Sequence, residues 1–225
     1  ENIKNSLLAQ GASLGIHESQ SRTWENTLGR SYAFWQYYFP KLKELFPEPL
    51  SRVDLELFYK AINKSEPSLI RVEADEVTYS LHVILRFELE LQLITGEIKI
   101  QDLPEAWKNK MDELLGVKPE TDAEGILQDV HWSIGIFGYF PTYVLGNLYG
   151  AQFFDAMKKE IPDMDEKITN GDFKTILNWY RTNIHQHGAV YSANELCHRV
   201  TGEELRADYF MNYLTKKYTE IYKLK

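Results

Sequence analysis

Apolar residues recur at helical spacing along almost the whole chain. Between positions 18 and 46, Trp24, Leu28, Tyr32, Trp35 and Phe39 follow one another three and four residues apart. That spacing places them on one stripe of a helix. Pro40, Pro47 and Pro49 punctuate the run, and Ser51 can cap a further helix through Asn63 with Asp54 in its first turn. Ser65-Glu66-Pro67-Ser68 reads as a turn. A helix of about seven turns is predicted over 70–95, carrying Val77, Leu81, Ile84, Leu85, Leu89 and Leu93 and ending at Gly96. Ile98-Lys99-Ile100 is a weak strand signal set among helices. Pro104 sits where a helix tolerates proline, opening one that runs to Leu115 with Gly116 after it.

The stretch 125–150 breaks this rhythm. It holds glycine at 125, 135, 138, 146 and 150, Pro141, and the aromatics Trp132, Phe137, Tyr139, Phe140, Tyr143 and Tyr149. Such a sequence is a poor interior for a regular helix, and its glycines permit close backbone approach. Helices are expected again over 149–160, 173–184 and 193–200, the last opened by a capping-box pattern at Ser192 and Glu195. A terminal helix is expected from about 203 to 222. No internal repeat is visible, so the pattern predicts an all-α chain forming a single domain over 1–225.

Charge and composition narrow the class. The 225 residues are 44% hydrophobic and 26% charged with a formal charge of −8, an ordinary globular mixture that excludes disorder. The acidic balance argues against nucleic acid or an anionic membrane as partner. A single cysteine excludes a disulfide framework and makes the reducing cytoplasm the default compartment. No stretch approaches the roughly 18 uncharged apolar residues of a membrane span. The chain opens at Glu1 without an initiator methionine, which raises the expectation of processing, trimming or a longer parent protein.

Candidate chemistry begins with the six histidines: His17, His82, His131, His185, His187 and His198. The zinc-peptidase arrangement needs two histidines four apart with a glutamate following the first. His17-Glu18-Ser19-Gln20-Ser21 begins in that way and fails at Ser21. On a helix Glu18, Arg22 and Glu25 share a face, so the run reads either as a salt-bridged surface turn or as a setting for Glu18 as a metal ligand. Arg71 and Asp75, four apart, can form an exposed pair, or the carboxylate can position the guanidinium to hold an anionic group. Asp129 and His131 lie between glycines and aromatics, either an active-site wall or a packed core. His82, Cys197 and His198 fall in helical contexts and carry a structural reading. His185 and His187, two apart, belong at a helix end before Gly188.

Four strings taken together carry more than any of these alone: GIHESQSRTWEN at 15–26, IRVEADEVTY at 70–79, GILQDVHWSIGIFGYFPTYVLGNLYGAQ at 125–152 and HQHGAVYSANELCHRVTGEEL at 185–205. In this order they resemble the carboxypeptidase Taq family of metallopeptidases, and the resemblance covers essentially the whole chain. It implies an all-α, elongated multi-helix domain, the C-terminal half of a helical HExxH-type metallopeptidase about twice this length. It implies a metal-dependent carboxypeptidase that releases single residues from the free C-termini of peptides. The alternative is a helical binding or dimerisation module without catalysis.

The same resemblance assigns roles residue by residue. Glu18 matches the metal-binding glutamate of the family's HES motif, and the HExxH helix would fall ahead of residue 1, so this chain alone is expected to be inactive. The metal is expected to be Zn²⁺, with Co²⁺ as the alternative. Arg71 would receive the substrate's terminal carboxylate, and His131 and Tyr143 would donate hydrogen bonds to the oxyanion. Gln20, Asp75, Gln128 and Asp129 would orient the ligands and the arginine. A cytoplasmic homodimer with no nucleic-acid or membrane partner completes the expectation.

Overall fold

The computed structural model describes residues 3–224. Ten α-helices are found among them, and no strand. They are α1 (Leu14–Arg22), α2 (Tyr32–Leu45), α3 (Leu55–Ile62), α4 (Tyr79–Thr95), α5 (Leu103–Leu115), α6 (Pro141–Glu160), α7 (Met164–Thr169), α8 (Phe173–Asn183), α9 (Ala193–Thr201) and α10 (Asp208–Tyr222). The chain forms two compact units, one made of 1–63 with 145–225 and the other of 64–144. None of these helices is long and apolar enough to cross a membrane.

In the first unit, the predicted helix over 18–46 is interrupted. α1 is capped by Ser13, whose hydroxyl accepts from Ile16 N–H, and it passes into a π-helical turn over Thr23–Leu28 before the chain breaks at Gly29 to Ser31. Ser31 then caps α2, which continues through Pro40 to Leu45. A proline inside a helix forfeits one backbone hydrogen bond. The aromatic stripe offsets that loss: Trp35 and Phe39 pack on Phe58 with centroids 4.6 and 5.1 Å apart, and Tyr38 stacks on Phe173 at 5.7 Å. Asp54, rather than Ser51, caps α3 through Leu57 N–H. The main core gathers Ile16, Leu28, Phe153, Met157, Ile168, Ile176, Tyr180 and Leu196 from six elements.

Glycines in α6 fix how that helix meets α1. A Cβ at Gly146 would lie 2.6 Å from Glu18 Cγ, and one at Gly150 would lie 3.0 Å from Thr23 Oγ1. Only a bare Cα lets the two backbones come this close, and the packing gained offsets the roughly 1 kcal/mol that a helical glycine costs. α6 therefore starts at Pro141, eight residues before the expected 149. α10 begins at Asp208, later than the expected 203, and α7 was not foreseen.

In the second unit, α4 and α5 pack through Leu85, Leu89, Leu103, Trp107, Met111 and Leu115. Gly96 and Gly116 close these helices with φ of 75° and 67°, the left-handed geometry expected of glycine there. The helix predicted over 70–95 is corrected: α4 starts only at Tyr79, and Arg71–Glu73 form a separate 3₁₀ turn. Ala74 turns extended, with ψ of 145°, because Asp75 draws local donors to its carboxylate. Those donors are Thr78 N–H and Oγ1, Val77 N–H, Ser65 Oγ and Glu66 N–H. The Ile98–Ile100 strand signal is likewise overturned, since Ile100–Asp102 form a 3₁₀ turn leading into α5.

Candidate functional site

The first unit carries Glu18 and Gln20 on α1. Ser19 and Thr23 turn inward along this helix, their hydroxyls donating to the carbonyls of Ile16 and Ser19. That leaves Glu18 on the flank, half-buried, with Arg22 Nε 2.9 Å from its Oε1 and Ser21 Oγ donating to its Oε2 at 3.0 Å. Arg22 also reaches Glu25 at 3.4 Å, so it pairs with both carboxylates on its face. Gln20 does not touch Glu18. It donates to Ser19 Oγ and joins His185 Nε2 at 2.9 Å, because residues two apart on a helix point to different sides. The hydrogen bonds of Gln20 thus run to Ser19 and His185 rather than to Glu18, and His185 gains a partner the sequence did not suggest.

The second unit gathers the remaining residues around a buried guanidinium. Arg71 leaves the 3₁₀ turn with its side chain 6% exposed. Its Nε and Nη2 donate to Asp129 Oδ1 at 3.1 and 2.6 Å, and Nη1 donates to the Tyr79 hydroxyl at 2.8 Å. Asp75 is not its partner. The spacing of four that suggested this pair holds only on a helix, and the chain is not helical between Arg71 and Asp75. Gln128 fixes the backbone instead: its Oε1 accepts from Arg71 N–H at 2.9 Å, while its amide donates to the carbonyls of Leu69 and Glu124. Three of the five guanidinium N–H groups are engaged in this way, which leaves one N–H on Nη1 and one on Nη2 beyond these bonds.

Asp129 is shared. Its Oδ2 accepts from Arg86 Nε at 2.6 Å, so one carboxylate bridges two guanidiniums. Burial alone would raise the Asp129 carboxyl. The hydrogen bond from Arg71 and the charges of both arginines outweigh it and hold the group below the usual carboxylate range. Arg86 is fully buried, lies 4.6 Å over the Trp107 ring, and donates from Nη1 to the His82 carbonyl. Burial lowers its pKa to about 10, opposed by Asp129, so it remains charged at neutral pH.

His131 and Tyr143 meet beside this cluster. His131 Nε2 and the Tyr143 hydroxyl are 3.0 Å apart, and the Tyr143 ring lies 4.8 Å from the Arg71 guanidinium carbon. The imidazole packs on Phe140 at 4.4 Å. Burial, opposed by Asp129 and reinforced by Arg71 and Arg86, holds His131 below the ordinary histidine range. The neutral imidazole therefore prevails at neutral pH, and the His131–Tyr143 pair can offer a hydrogen bond without adding charge.

Tyr79, Arg86 and Glu90 escaped the sequence reading. Glu90 accepts from Trp132 Nε1 and from Gly138 N–H, which pins the glycine-rich segment to α4. A signal was present: His82, Arg86 and Glu90 recur every four residues inside an otherwise apolar helix, a polar line along a buried face. As to a metal, no group of three or more His, Cys, Asp or Glu side chains among the described residues is placed to hold one. Glu18 offers a single carboxylate already engaged by Arg22, so the donors of this chain alone do not complete a metal site.

A family model described as carboxypeptidase Taq (M32) metallopeptidase matches residues 1–218. Thermostable carboxypeptidase 1 of Thermus thermophilus is 52% identical over 93% of this chain and 41% of its own length. Carboxypeptidase 1 of Bacillus subtilis is 45% identical over 100% of this chain and 45% of its own. The crystal structure of the M32 carboxypeptidase from Deinococcus radiodurans R1 superposes with a TM-score of 0.94 at 43% identity, over 96% of this chain and 44% of that one. The chain thus spans less than half the length of the curated relatives it matches. With the four motif strings in place and a family model covering nearly every residue, the chain belongs to the carboxypeptidase Taq (M32) metallopeptidase family.

Proposed function

We propose that this chain supplies the substrate-carboxylate receptor and the oxyanion donors of a metal-dependent carboxypeptidase acting on peptides with a free C-terminus. The observation that carries the reading is Arg71: a buried guanidinium whose Nε–Nη2 edge is held by Asp129 and whose Nη1 donates to Tyr79, with one further N–H on each terminal nitrogen beyond these bonds. A planar fork matches a carboxylate geometrically, and in a closed site such a pair is charge-assisted. The terminal carboxylate, and with it the last peptide bond, would be fixed relative to His131 and Tyr143. Their N–H or O–H would then donate to the negative charge that develops on the scissile carbonyl oxygen when water adds to it. Asp129, Gln128 and Tyr79 act through Arg71, holding its guanidinium and backbone in place.

Glu18 is the carboxylate this chain would offer to the family's divalent metal, Zn²⁺ or Co²⁺. The other donors are not clustered among the described residues, and the 225 residues alone are expected to be inactive. A cytoplasmic setting is part of the proposal, supported by the lone free Cys197 and the acidic balance of the chain, and a homodimer is carried over from the family resemblance alone. The test is Arg71→Ala in the full-length enzyme, assayed on matched peptides ending in a free acid or a carboxamide. Truncating one partner of a buried charge-assisted pair costs about 2–5 kcal/mol, so kcat/KM on the free acid should fall on the order of 30-fold to several thousand-fold. The amide should lose little, and Arg71→Lys should recover only part of the rate. Equal losses on both substrates would make Arg71 a structural residue.

A further inference from the structure

Arg71 and Asp129 taken by themselves form a neutral pair. A substrate carboxylate approaching such a pair would gain attraction from the guanidinium and lose nearly as much to the adjacent aspartate. The structure contains a second guanidinium that changes this balance. Arg86 Nε binds the other oxygen of the same carboxylate at 2.6 Å, and Arg86 is fully buried with no route to a competing anion. Arg71, Asp129 and Arg86 together carry a net charge of +1. Asp75 and Glu90 keep their own charges but spend their hydrogen bonds on neutral donors rather than on either guanidinium: Asp75 accepts from Ser65, Glu66, Val77 and Thr78, and Glu90 from Trp132 and Gly138. Keeping a cation at a fully buried position is costly unless it is paired, and one shared carboxylate half-compensates two. A fourth charge, negative, would balance the cluster.

We propose that Arg86 is a positioning residue that neutralises Asp129, so that Arg71 presents an uncompensated positive charge to the substrate, and that this arrangement sets the preference for a free C-terminal acid over an amide. The inference rests on Arg71 being the carboxylate receptor. Asp129 alone would supply orientation at the expense of attraction, whereas Asp129 with Arg86 behind it supplies orientation and leaves the attraction intact. Arg86 does not touch substrate in this scheme. Its hydrogen bond to the His82 carbonyl and its stacking on Trp107 hold it behind Asp129.

The test uses the full-length enzyme, matched free-acid and carboxamide peptides, and inhibition by 3-phenylpropionate as a bare carboxylate probe. Arg86→Gln keeps a donor toward Asp129 and removes the charge. It should lower kcat/KM on the free acid and weaken 3-phenylpropionate on the order of 10- to 100-fold, the size of one extra unit charge about 6–12 Å away at an effective dielectric near 20. The loss should appear mainly in KM, because the carboxylate is held equally before and during the reaction. The amide should change less than threefold, and Arg86→Lys should restore most of the free-acid rate.

Adding Asp129→Asn to Arg86→Gln removes the charge that Arg86 had offset, so the double variant should recover the acid-to-amide ratio. A merely structural arginine would show no such rescue. If Arg86→Gln lowers acid and amide rates together, or the double variant keeps a collapsed ratio, the proposal is overturned. Should Arg86→Gln fail to fold, the double variant alone decides by the same ratio. Arg71→Ala separates the two readings: if it leaves the acid-to-amide ratio intact, the receptor assignment fails. If it collapses that ratio and Arg86→Gln does not, only the present inference fails.

Discussion

His82 should make the second unit acid-labile. It sits on α4 with no exposed surface, and neither ring nitrogen has a hydrogen-bond partner. Burial chiefly, with Arg86 and Arg71 nearby, lowers its pKa to about 4 from an ordinary 6.5, while Asp129 and Asp75 oppose the shift less strongly. A base whose folded pKa is depressed binds its proton more readily when unfolded, so stability is lost as pH falls from the unfolded value toward the folded one. The full shift corresponds to about 3 kcal/mol, of which about 2 kcal/mol is lost between pH 7 and pH 5. Below about pH 4 the loss levels off. The assay is the urea midpoint measured at half-unit steps from pH 7.5 to 4 for the wild type and His82→Leu, which preserves volume and cannot take up a proton. Subtracting the variant's profile should isolate a rise in stability with pH over 4–6.5. Parallel profiles would show that His82 is not the group responsible, and the burial argument would be wrong.

Two further perturbations probe the packing that positions the site. Asp129→Asn should destabilise the second unit by about 3–5 kcal/mol, since it leaves two buried guanidiniums facing one neutral amide, and a loss under 1 kcal/mol in urea unfolding followed by tryptophan fluorescence would contradict the shared-carboxylate account. Gly146→Ala brings a Cβ to 2.6 Å from Glu18 Cγ and 3.0 Å from the Glu18 carbonyl carbon, so α1 and α6 must separate at a cost of about 1–3 kcal/mol. In the full-length enzyme, metal affinity measured by competition with a chelator should weaken with it; unchanged affinity would show that this close contact does not set the position of Glu18.

Helix ends were the most legible features. Gly96, Gly116 and the Ser192–Glu195 box are local devices whose chemistry acts within four residues, and each ends or starts a helix as read. The errors share a cause, which is competition from outside the window. Asp75 draws in Ser65 and Glu66 from nine or ten residues away and so postpones α4 to Tyr79. Gly146 and Gly150 weaken a helix considered alone, yet they are what lets α6 lie against α1. The site divides in the same way. Arg71, Asp129 and His131 were visible as residue types inside the matched strings. The partner of Arg71 was not, because it lies 58 positions away rather than four. Arg86 went unnoticed because a cation within an apolar helix gives no local sign that it faces a carboxylate 43 residues downstream.

The receptor role of Arg71 is tested most directly by a structure of the full-length enzyme with a free-acid peptide product bound. The account predicts both carboxylate oxygens within about 3 Å of the outer nitrogens of the Arg71 guanidinium, as charge-assisted pairs require, with Asp129 still bridging Arg71 and Arg86. A terminal carboxylate held by another cation, with Arg71 bonded only to Asp129 and Tyr79, would contradict it.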